Sequence, residues 1–111
     1  MNMPPDFEQL LQIIRVTSLD YDPVYVVLAS GEDFTFLQVT RQLREKLQEA
    51  IREGYVPLGL LAWEIDEGQF QAHKMFFRWH EEKLADRFDL ICEAGVDSVG
   101  QTLENYRRHP K

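Results

Sequence analysis

The chain has 111 residues, of which 44% are hydrophobic and 12% aromatic, and its 19 acidic and 12 basic side chains leave a net charge of −7. That length and composition fit one α+β domain spanning residues 1–111, able to bury its own core and too apolar for disorder. An acidic chain without a basic stripe is a poor partner for a phosphate backbone, and its apolar runs fall far short of the roughly 20 residues a membrane-spanning helix needs, so neither nucleic acid nor membrane is expected as a partner.

The first residues, Met1-Asn2-Met3-Pro4-Pro5-Asp6, have neither a basic nor an apolar region of the kind a secretory signal carries. The single Cys92 cannot form an internal bridge. Both point to a reducing compartment, the cytoplasm.

Phe7, Leu10, Leu11 and Ile14 recur at helical spacing, and Asp6 with Gln9 matches a capping box. The run Ile13-Ile14-Arg15-Val16-Thr17 is rich in β-branched residues and suits a strand as well. Helix is the preferred reading.

Asp20-Tyr21-Asp22-Pro23 reads as a turn, and Val24 to Ala29 as a strand buried on both faces. Ser30 to Asp33 ends it. A second helix is expected next, on a stripe of Phe36, Leu37, Thr40, Leu43, Leu47, Ala50 and Ile51, stopped by Gly54.

Tyr55 to Ile65 and Gln69 to Trp79 read as two strands around Asp66-Glu67-Gly68, a three-residue loop closed by Gly68 in the left-handed conformation. That loop pairs Trp63 with Gln71, Leu61 with His73 and Gly59 with Met75. Alternation then places Trp63, Met75, Phe77 and Trp79 together on one face of the sheet. A third helix is expected from Glu81 to Glu93, with Gly95 as its stop, and a last one after Asp97 through Val99, Leu103 and Tyr106. The architecture is thus a βαββ core with a small sheet of about three strands, partly antiparallel, and helices at both ends.

The order strand, amphipathic helix, Gly stop, strand, hairpin, strand resembles a group of small bacterial βαββ domains of unknown function. The residues that carry the resemblance are Glu53-Gly54-Tyr55-Val56-Pro57-Leu58-Gly59 and Gln71-Ala72. They cover about the middle half of the chain. Those domains usually have Trp where Tyr55 stands and a second Gly where Leu60 stands. The resemblance implies a fold but no activity, so no catalytic or binding residue is carried over.

Chemistry-bearing motifs are sparse. His73 and His80 are an odd number of residues apart on one strand, hence on opposite faces, which disfavours a shared metal. Cys92 falls on an apolar helix face with no activating neighbour, as a structural cysteine does. Phosphate loops, nucleophile elbows and Cys-x-x-Cys pairs are absent from the sequence. No cofactor and no metal are expected.

What stands out is apolar excess on both sheet faces. Trp63, Met75, Phe77 and Trp79 have the composition of an interface core, to be covered by the terminal helices or by another chain. The first functional reading is therefore a non-enzymatic protein-binding or regulatory module, able to pair with a protein partner or with itself through that face. The alternative is a small-ligand-binding domain or small enzyme with a pocket between sheet and helices, built on Tyr55, Glu64 and His73.

Overall fold

The computed structural model describes residues 4–66 and 69–108, with side chains over 4–64 and 69–97. The elements are α1 (Phe7–Thr17), β1 (Val24–Ser30), β2 (Asp33–Gln38), α2 (Leu43–Arg52), β3 (Val56–Asp66), β4 (Gln69–Phe76) and α3 (Lys83–Arg108). The strands form one antiparallel sheet in the order β2-β1-β3-β4. The chain is α+β as expected, but its core is ββαββ.

The helix alternative holds for the first segment. Asp6 accepts a hydrogen bond from the Gln9 backbone N–H (2.8 Å), and the Gln9 side chain accepts one from the Asp6 N–H (2.9 Å). This reciprocal box satisfies two donors that a bare helix start would leave open. Leu10, Leu11 and Ile14 point inward. At the other end of α2, Gly54 adopts φ +98°, while Gly54 and Tyr55 donate to the carbonyls of Ile51 and Ala50. That is a Schellman end, and its left-handed position is one a Cβ would strain.

Three expectations are corrected. Residues 33–38 form strand β2, not the first turns of a helix: Phe34 and Phe36 alternate with Thr35 and Leu37, and Gly31-Glu32 make a tight hairpin back from β1. The β3–β4 pairing is one residue away from the expected register. Trp63 opposes Ala72, Leu61 opposes Lys74 and Gly59 opposes Phe76, and Asp66 pairs with Gln69 so that two residues connect the strands. The conformation expected of Gly68 lies outside the described residues. The third correction is that Gly95 does not end a helix, because α3 continues through it.

Gly95 serves contact instead. A Cβ there would lie 2.6 Å from the Phe36 ring and 2.9 Å from Leu61, so only glycine lets this turn of α3 rest on the sheet.

The sheet is sandwiched. On one face α1 and α2 supply Leu10, Leu11, Ile14, Leu43 and Leu47, which meet Val24, Val26, Leu28, Leu60 and Ala62. On the other, α3 supplies Phe88, Ile91 and Cys92, which meet Val27, Ala29, Leu61 and Trp63. Leu58 joins this second cluster beside a bulge where β1 and β3 shift register. Burying these apolar side chains is the main drive to fold, at about 1.5–3 kcal/mol for each large one. No helix among the described residues is long and apolar enough to cross a membrane.

Candidate functional site

The register decides the fate of the aromatic face. A one-residue shift moves every β4 side chain to the opposite side of the sheet. Trp63 lies under α3, 2% exposed and edge-on to Tyr25 at 6.0 Å. Met75, Phe77 and Trp79 belong to the cluster under α1 and α2. The four residues therefore do not share one face. Phe77 is 6% exposed, and Met75 and Trp79 are half-buried, so the chain's own helices cover most of what was expected to need a cover.

The second set divides as well. Glu64 and His73 meet across β3 and β4, with Oε2 and Nε2 3.0 Å apart and the Tyr21 ring 5.2 Å from the imidazole. Both side chains are substantially exposed. Tyr55 stands at the opposite end of β3, about 30 Å away at the usual strand rise. Acid–base chemistry needs an enclosed site with shifted protonation, and the Glu64–His73 pair sits in solvent. Cys92 is fully buried, and loss of hydration pushes its thiol up to about 12. It stays a neutral thiol at physiological pH and is a poor nucleophile. Among the described residues, no three His, Cys, Asp or Glu side chains gather as metal ligands would.

Tyr55 and Trp79 do come together with other residues around a groove of about 560 Å³ at one corner of the sandwich. Its first wall is the entry to α1, Pro4 through Phe7, with Leu10 behind it. Ile51 comes from the last turn of α2, and Tyr55, Val56 and Pro57 form the start of β3. Trp79 and His80, just past β4, close the far side.

Local structure sets this geometry. The capping box fixes where α1 begins, and the Schellman end turns the chain sharply from Ile51 to Tyr55. His80 Nε2 donates to the Pro57 carbonyl (2.6 Å), tying the segment after β4 to the mouth of β3. A carbonyl can only accept, so in the neutral ring Nδ1 is left as an acceptor. Trp79 stacks on Phe77 with ring centroids 4.4 Å apart and planes inclined by 15°. One indole face is thereby covered, and the half-buried ring borders the groove.

The walls are largely apolar, and the volume lies within the range of small-molecule sites, which take apolar bodies and a few polar anchors. The sequence singles out Tyr55 and Trp79 but for different readings, and it gives Asp6, Phe7, Pro57 and His80 no part in a binding site. Their convergence is tertiary, drawn from three separated stretches of chain, and no local pattern announces it. No family model matches the chain, and no match was found among curated proteins or solved structures.

Proposed function

We propose that this chain is a non-enzymatic binding module whose site is the corner groove, where Tyr55, Trp79, Phe7 and Val56 receive an apolar group of a ligand or partner. One observation carries this reading: a half-open apolar groove of about 560 Å³ remains where α1, α2 and β3 fail to close over one another. Exposed apolar concavities of this kind are uncommon on a protein surface without a use. The reading keeps the binding character expected from sequence and moves it from the aromatic sheet face to the groove. Self-association through that face loses its support, since Trp63 and Phe77 are already covered from within the chain. The exposed Glu64–His73 pair favours no enzymatic reading.

The test is a backbone-amide NMR titration with indole as a neutral aromatic probe. Shifts should concentrate at Phe7, Tyr55, Val56, Trp79 and His80. Val56 is 45% exposed, so Val56→Asp should leave the melting curve nearly unchanged while abolishing those shifts. Shifts scattered elsewhere, or persisting in Val56→Asp, would remove the groove as the site.

A further inference from the structure

Beyond size and hydropathy, the groove has a definite electrostatic character. Three aromatic side chains line it, Phe7, Tyr55 and Trp79. Among the described residues, its one wall carboxylate is that of Asp6, and neither Lys nor Arg lines it. The Arg44 guanidinium, in the first turn of α2, is engaged by both carboxylate oxygens of Glu8. Asp6 uses Oδ1 for the helix cap, so its charge is held at the groove's rim by the backbone of α1. His80 is tied through Nε2 to the Pro57 carbonyl, and the whole chain carries −7.

The full charge of Asp6 outweighs the roughly half-unit positive pole of the helix it caps, so the aromatic walls favour cations with an apolar surface over anions. Aromatic faces attract such cations through their quadrupoles, most strongly where water is partly excluded. An alkylated ammonium suits this better than a lysine-type ammonium, because its methyl groups need no hydrogen-bond partners and shed water readily. The volume of the groove is that of a small-molecule site.

From the aromatic walls of Phe7, Tyr55 and Trp79 and the rim carboxylate of Asp6, we infer that the groove binds a small organic quaternary ammonium compound. This rests on the groove being the binding site, and the experiment separates the two claims.

The probes are choline, its neutral isostere 3,3-dimethylbutan-1-ol, and indole, each followed by amide and Trp79 indole N–H shifts at low ionic strength. Choline should bind about fivefold or more tightly than the alcohol, the margin expected of a partly desolvated cation–π contact. Asp6→Asn is the decisive variant. Asn caps a helix as well as Asp does, so the fold is kept while the charge is lost. It should weaken choline about threefold and leave the alcohol unchanged. Equal binding of choline and alcohol, or choline binding indifferent to Asp6→Asn, overturns the inference while indole binding still upholds the groove. Failure of all three probes overturns both. A short trimethyl-lysine peptide binding tenfold more tightly than choline would overturn the small-molecule assignment in favour of a modified protein tail.

Discussion

The two faces of the sheet are covered in different ways. On one side a single helix, α3, lies flush against the strands, and the contact is made of buried rings and missing side chains. Phe88 is 1% exposed with Phe76 5.5 Å away centroid to centroid, and Gly59 and Gly95 give up their Cβ positions to the facing surface. On the other side two shorter helices share the work. Their hydrophobic residues are just as buried, but the devices that fasten their ends lie in solvent: the Asp6–Gln9 box and the Glu8–Arg44 pair between α1 and α2. Two helices that meet the sheet separately leave a corner, and the groove occupies it. A close-packed layer spends its surface on stability, whereas a layer with a seam keeps some surface for binding.

Breaking the flush side should cost most. Phe88→Ala removes a buried ring from between Phe76 and the glycine of β3, and about 3–5 kcal/mol of stability should go with it. Chemical denaturation measures this directly. The groove's ligand shifts should survive in whatever fraction remains folded. A loss below about 1 kcal/mol would mean that α3 is not seated on the sheet in solution.

Gly59→Ala attacks the same contact from the strand. An added Cβ would lie 2.6 Å from the Phe88 ring and still closer to the backbone carbonyl of Met75. The ring can yield, but the carbonyl of a paired strand yields poorly, so a loss of about 1–3 kcal/mol is expected. Here a thermal melt matching the wild type would refute the close approach. Gly95→Ala is milder in principle, since alanine's helix propensity returns about 1 kcal/mol against the clash with Phe36 and Leu61.

These glycines also show where sequence reasoning reached its limit. Gly54 was legible as a helix stop because a Schellman end is a local motif with a local backbone requirement. Gly95 looks the same in sequence, but its reason lies across space in Phe36 and Leu61. The stretch Phe34 to Leu37 satisfies a helical stripe and a strand alternation equally well, and only pairing with β1 decides between them. The hairpin is legible but its register is not, because turn chemistry alone fits a three-residue loop where two residues connect the strands. That single residue reassigned Met75 to the face opposite Trp63. For the site, Tyr55 and Trp79 were visible as unusual residues, but a groove made where three distant segments fail to meet has no sequence signature.

On the seamed side the effects should be smaller and of another kind. Asp6→Ala removes the acceptor that holds the Gln9 N–H and should cost about 1 kcal/mol, while Asp6→Asn costs almost nothing. Comparing the two by urea denaturation separates the cap from the charge. If both variants were equally stable, the box would not be what fixes the start of α1, and the first wall of the groove would need another explanation.

The smallest effect is expected at the Glu8–Arg44 pair that spans α1 and α2. Hydrogen bonding from Arg44, reinforced by its charge, holds the Glu8 carboxyl below the usual glutamate range. A lowered folded value means that the pair contributes above the unfolded glutamate value and that its contribution fades as pH falls through the folded one. Both side chains are in water, so screening leaves little net stability to lose, and the melt of Arg44→Gln should nearly overlay the wild type. The informative readout is local. An NMR titration of the Glu8 carboxyl should show a midpoint below that of an ordinary glutamate, and Arg44→Gln should restore it. Should the midpoint be ordinary in the wild type, α1 and α2 would be held together by their buried side chains rather than by the surface pair. The groove between their ends would then be free to widen, with a matching change in indole affinity between low and high salt absent. If the midpoint is lowered and salt both raises it and loosens indole, the surface clasp sets the width of the seam.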